Sequence, residues 1–212
     1  MKSTPDFRAS LAILKRDVRL APLIKKFGPP DLSRYHGRIG VFEALIRSII
    51  YQQISGKAAA LIHRRVVGLY PRNRPTPALV LATPRAKLRA AGLSAQKVAY
   101  IKDLAKRFAK KEIDTHRFPS MTSAEIVEHL VRIKGVGVWT AHMLLIFTLR
   151  RTDILPAGDL AIRRGFQVVY KLKKEPTSAQ MEKLANNWRG HASIASWYFW
   201  RVVDDAKKKA AP

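Results

Sequence analysis

Ile133-Lys134-Gly135-Val136-Gly137-Val138-Trp139-Thr140-Ala141 is the stretch on which the reading of the fold turns. Two glycines flank one valine, and helical patterns lie on both sides. Glycine tolerates positive φ and has no Cβ to hold a ligand away from the backbone. The stretch predicts a tight turn, with one helix ending near Ile133 and another beginning near Val138. Amides at the start of that second helix have no intrahelical acceptor, and the helix dipole favours an anion there. An ordinary turn between two helices would give the same local pattern.

Outward from this turn the chain reads as helices. Phe42, Leu45, Ile46, Ile49 and Ile50 recur at three- and four-residue steps. So do Leu61, Val66 and Leu69, and then Val98, Ile101, Leu104, Ala105 and Phe108. Thr76-Pro77 and Thr83-Pro84 each offer a capping hydroxyl before a proline suited to the first helical position. Thr122 with Glu125, and Thr177 with Gln180, have capping-box spacing. Gly92-Leu93-Ser94 ends one helix and caps the next. About ten helices with little or no sheet are expected, and Lys207-Lys208-Lys209 is expected to fray as a solvated tail. Breaks fall near Pro29-Pro30-Asp31 and around Arg150-Arg151-Thr152-Asp153.

Composition narrows the partner. Forty Lys and Arg stand against fifteen Asp and Glu, a formal net charge of +25 over 212 residues. Such a balance points to a polyanion, and nucleic acid is the usual one. A membrane surface fits less well, because the charge is spread along the chain and not gathered on one amphipathic helix. No apolar run approaches the length of a bilayer span, and Met1-Lys2-Ser3-Thr4-Pro5-Asp6 has no apolar leader. Cysteine is absent, which excludes disulfides, thiolate zinc sites and cysteine-ligated iron–sulfur clusters. A cytoplasmic protein (associated with the nucleoid, if bacterial) and a monomer are expected.

Twenty-two residues after Gly137 comes Asp159, in Leu155-Pro156-Ala157-Gly158-Asp159-Leu160-Ala161-Ile162-Arg163-Arg164. Its position suits an N-cap. The helix N-terminus and the nearby Arg163 and Arg164 would favour its ionised form. Spacing alone leaves a simple capping aspartate open.

Together these stretches resemble the helix-hairpin-helix DNA glycosylase superfamily, and within it the 3-methyladenine DNA glycosylase II branch. The segment Phe42–Ala60, with Tyr51-Gln52-Gln53-Ile54-Ser55, fits the same branch, as does Gly92–Ile101. The likeness runs from about residue 30 to 205. It implies an all-α protein of two helical lobes with a cleft between them. Residues 41–149 would form the central lobe with the hairpin. Residues 1–40 and 150–212 would form the other lobe and bring Asp159 to the cleft. The partner would be double-stranded DNA containing damaged bases, with no membrane and no cofactor.

The resemblance also implies roles. Asp159 would be the catalytic carboxylate, stabilising positive charge on the sugar or orienting the attacking water. Lys134, Gly135, Val136, Gly137 and Thr140 would hold a DNA phosphate. The hairpin carbonyls of Ile133 and Val136 could bind a monovalent cation that bridges to it, and no catalytic metal is expected. Bifunctional members carry a lysine two residues after the second hairpin glycine, and here that residue is Trp139. Base removal by water, without strand nicking, is the expectation. Trp139 would wall a pocket for a cationic alkylated purine, with Tyr51, Met143 and His191; core packing is the other use of such a tryptophan. Gln53, or Ile54 or Ser55, would fill the gap left by the flipped nucleotide, although the segment also reads as a plain polar turn.

The chain departs from the family at Trp188-Arg189-Gly190-His191-Ala192-Ser193, where a proline, an aromatic and an arginine are common. Three functions stay open on the sequence. The leading one is a monofunctional alkylpurine glycosylase. The others are a non-catalytic helix-hairpin-helix DNA-binding or damage-sensing protein, and a glycosylase of different preference, for hypoxanthine or an oxidised purine.

Overall fold

The structure, a computed structural model, describes residues 7–32 and 39–210. The Met1–Asp6 stretch considered for a leader lies outside the described residues. The described residues form twelve α-helices and three short 3-10 turns joined by loops, and include no strand. No helix among them is long and apolar enough to cross a membrane. The helices are α1 Arg8–Leu14, α2 Ala21–Phe27, α3 Val41–Tyr51, α4 Gly56–Val67, α5 Pro77–Ala82, α6 Arg85–Ala90, α7 Ala95–Ala109, α8 Ser123–Leu130, α9 Val138–Phe147, α10 Leu160–Tyr170, α11 Ser178–Leu184 and α12 Ala192–Ala210. The chain divides into two compact units, His36–Leu144 and Met1–Tyr35 with Leu145–Pro212. These edges differ by five residues from the lobes expected at 41–149. The apolar helix α9 continues through residue 147, and the basic stretch at Arg150 follows its end.

In the contiguous unit, α3 packs on α7, and α5 and α6 pack on the same helix. The apolar stripe of α3 is buried as its spacing requires: Phe42, Leu45, Ile46, Ile49 and Ile50 are all core. Val98, Ile101, Leu104 and Ala105 of α7 meet it from below. On α4 the stripe is narrower: Val66 is buried, while Leu61 is exposed. Thr76 accepts the Leu79 N–H at 3.3 Å and caps α5. Thr83 does not cap. Its hydroxyl donates to the Leu79 carbonyl at 2.8 Å, and Pro84 takes the N-cap place before α6. Both capping boxes form, at Thr122–Glu125 and Thr177–Gln180.

In the other unit, α10 lies along α12. A Cβ added at Gly165 would stand 2.6 Å from the Phe199 Cβ, so glycine alone permits this approach. Phe166 stacks on Phe199 at 4.2 Å. The Asp17 carboxylate joins distant parts of this unit: it accepts from Tyr170 Oη at 2.7 Å and Trp188 Nε1 at 3.1 Å, and from the N–H groups of Arg19 and Leu20. Desolvation first, and then this carboxylate, push the Tyr170 phenol well above its ordinary range. The C-terminal lysines are helical and not frayed: α12 runs through Ala210, with Lys209 Nζ 3.6 Å from Asp205.

Gly165→Val should overpack the α10–α12 contact and cost on the order of 1–3 kcal/mol. A lower urea midpoint with an unchanged slope would register it. A midpoint equal to wild type would mean that the two helices have slack between them.

Candidate active site

The hairpin is built from backbone constraints. After α8 the chain turns with the Ile133 N–H on Leu130 and the Val136 N–H on the Ile133 carbonyl, at 3.1 and 3.0 Å. Gly135 has φ +80, and a Cβ on it would overlap the ring of Tyr100. Both facts demand glycine there. Asp103 of α7 accepts the Lys134 N–H at 3.0 Å and Arg107 Nε at 3.0 Å. Burial opposes ionisation of Asp103, yet these hydrogen bonds prevail and hold its carboxyl below the usual range. Its contribution is therefore present above the ordinary carboxylate range and lost as pH falls through it. Lys134 thus commits its own amide to the fold, although its side chain is exposed. Gly137 differs from Gly135. A Cβ on it would meet nothing within 4 Å. It opens α9 with an exposed surface, the place where a helix N-terminus takes an anion.

Trp139 lies in the first turn of α9 and is 51% exposed. Its neighbours Thr140 and Met143 are buried. An indole left half in water is not core packing, which removes the plainer use of that residue. Tyr51 ends α3 half-buried. Arg47, one turn earlier, sets its guanidinium 4.1 Å from the Tyr51 ring centre and donates Nη1 to Tyr51 Oη at 2.9 Å. The His63 ring stands edge-on at 6.3 Å, and burial, then Arg47, lower its pKa. Sequence reasoning missed Arg47, though its i,i+4 spacing from Tyr51 was a usable signal. Beyond Tyr51 the chain passes through Gln53, which is exposed with φ +57, and the exposed Ile54, to Ser55, which caps α4.

Asp159 occupies the N-cap of α10, with φ −79 and ψ 122, and Oδ1 accepts the Ile162 N–H at 3.0 Å. Trp200 Nε1 of α12 donates to the same oxygen at 3.3 Å and stacks on Phe147 with ring centres 5.6 Å apart. Sequence reasoning missed Trp200; a half-buried indole N–H that needs an acceptor was the usable signal. The arginines take other partners: Arg163 Nε donates to the Ala157 carbonyl at 3.0 Å, and Arg164 lies 3.5 Å from Glu175. His191 directs Nδ1 to Ser10 Oγ of α1 at 3.0 Å. A cavity of about 1240 Å³ in this unit is lined by Asp17, Tyr170 and Trp188, and its lining includes neither Asp159 nor His191.

The structure thus places Tyr51, Gln53, Ile54, Trp139, Met143 and the hairpin on one unit, and Asp159 and His191 on the other. Comparison with known proteins identifies the family. The family model described as "HhH-GPD superfamily base excision DNA repair protein" matches residues 46–190. The DNA-3-methyladenine glycosylase 1 of Schizosaccharomyces pombe is 34% identical over 186 residues, covering 87% of this chain and 80% of that one. The structure of the 3-methyladenine DNA glycosylase from the same yeast, in complex with abasic DNA, superposes with a TM-score of 0.79 at 32% identity, covering 93% of this chain and 97% of that one. The DNA-3-methyladenine glycosidase of Bacillus halodurans gives a TM-score of 0.82 at 27% identity, covering 93% and 89%. The all-helical architecture agrees with these matches, and the chain belongs to the HhH-GPD superfamily of base excision DNA repair proteins.

Proposed function

We propose that this protein is a monofunctional DNA glycosylase that removes alkylated purines, such as 3-methyladenine and 7-methylguanine, from duplex DNA. The observation that carries the reading is Asp159, an acid held at a helix N-cap by an indole N–H in a chain of net charge +25. Relatives named 3-methyladenine glycosylases support the substrate class.

The chemistry is simple to balance. The flipped nucleotide loses its base as the N-glycosidic electron pair departs to the cationic purine and neutralises it. Positive charge develops on the sugar, and the Asp159 carboxylate stabilises it. Water adds at C1′ and loses a proton, which leaves an abasic site. Trp139, with its exposed ring, offers the electron-rich face for a cationic base. Tyr51 is less suited to that part than its sequence position suggests, because Arg47 already lies over its ring. The hairpin at Gly135 and Gly137 grips the backbone, and Gln53 and Ile54 take the vacated space. A monomer acting in the cytoplasm completes the proposal.

Asp159→Asn should slow single-turnover base release on the order of 10²–10³-fold, the scale of one lost transition-state charge contact. Asparagine caps as well as aspartate, so folding and duplex affinity should stay near wild type. Release at the normal rate would remove Asp159 from the chemistry and favour a non-catalytic, damage-binding protein.

The product should be an uncut abasic strand, because Trp139 replaces the amine nucleophile. Gel analysis of methylated duplex with and without alkali checks this. A covalent adduct trapped by borohydride would contradict it.

Gly137→Val has room in the fold, so its effect should fall on binding. It should weaken damaged and undamaged duplex by similar factors, in a binding reaction that falls steeply with salt. Trp139→Ala should spare undamaged duplex and reduce selectivity for cationic bases. Salt titrations on both variants, beside base-release rates, separate the two; an equal loss of undamaged binding in Trp139→Ala would put the pocket elsewhere.

A further inference from the structure

The turn after α3 is held in a shape that its own sequence disfavours. Gln53 has φ +57, a region that residues other than glycine and asparagine rarely enter. Such backbone persists only where its surroundings over-determine it. Two side chains do so. Lys97 of α7 reaches the end of α3 and donates Nζ to the carbonyls of Ile50 and Gln52, at 2.7 and 2.8 Å. Gln52 in turn donates Nε2 to the carbonyl of Gly135 at 2.8 Å. Gly135 is itself fixed against Tyr100, and the preceding amide is fixed by Asp103. One run of contacts therefore leads from α7, through residues 50 and 52, into the centre of the hairpin.

We propose that Gln52 is a positioning residue that ties the gap-filling turn to the phosphate-gripping hairpin, so that the seat of the hairpin on the backbone sets how far Gln53 and Ile54 enter the duplex. The proposal rests on the glycosylase reading and on this turn as the segment that fills the gap. Gln52 differs in kind from its neighbour: Gln53 projects from the turn and is exposed, whereas Gln52 is half-buried with its amide turned inward. A sequence motif would treat the two glutamines alike. The hydrogen bond separates them.

Gln52→Met keeps length and apolar stem and removes the donor. Release of 7-methylguanine from a fully paired duplex should fall about tenfold in single turnover, the scale of one hydrogen bond between positioned groups. Release of the same base from a mismatched duplex, where extrusion already costs less, should fall by less than about twofold. Melting temperature and affinity for undamaged duplex should be near wild type. Equal losses on both substrates would make Gln52 a structural or chemical residue and overturn the proposal, and so would an unchanged rate on the paired duplex. Gln53→Ala should show the same paired-selective loss, and adding Gln52→Met to it should cost little more; full additivity would mean that the two act independently. If Gln53→Ala with Ile54→Ala loses nothing, another segment fills the gap and the proposal falls with that assignment. If wild-type protein releases no base from either substrate, the glycosylase reading itself has failed.

Discussion

The contact between Gly135 and the ring of Tyr100 is the constraint on which the contiguous unit's working surface depends. A side chain at that position would overlap the ring, and φ +80 would strain any residue but glycine. With the backbone pressed onto α7, the neighbouring polar groups find fixed partners: the Lys134 amide on Asp103 and the Gly135 carbonyl on Gln52. What is left pointing outward is the opening of α9, with Gly137, Val138 and Trp139 exposed in sequence. Burying one face of the hairpin is what defines the other.

Asp159 is organised on a different principle. Its carboxylate is part of the secondary structure, since the cap fixes its rotamer through the Ile162 amide, and a second helix reaches it through Trp200. Neither donor is a formal charge. Both present N–H dipoles whose positions the two helices fix. Arg163 Nε donates to the Ala157 carbonyl, and Arg164 stands beside Glu175.

Much of this was legible because it is local. The α3 stripe, the two capping boxes, the hairpin limits and the Asp159 cap each depend on residues within one or two turns, so periodicity and spacing expose them. Thr83 was misread because Pro84 can serve as first helical residue or as cap, and the dipeptide is identical in both. The Asp17 junction was invisible, since its partners lie 153 and 171 residues away and no short pattern encodes them. Trp200 shared that fate, at 41 residues from its acceptor. The lysines that close α12 were read as tail because a fully solvated helix end has no apolar stripe to mark it. His191 sits where the chain leaves the family pattern, and there the resemblance gave no warning of its bond to Ser10.

The formal charge of +25 is not the charge that a polyanion meets. Lys97 and Lys102 turn their ammonium groups inward, onto two and three backbone carbonyls, and act as detached caps for the ends of α3 and α5. Arg47 lies on a tyrosine, Arg107 bridges Asp103 and Glu112, and Arg163 closes the loop before α10. Such residues are architecture that happens to carry a proton. A basic protein of this kind has two populations of cations, one fully solvated and free to meet a partner's phosphates, the other half-buried and already committed to bonds within the fold.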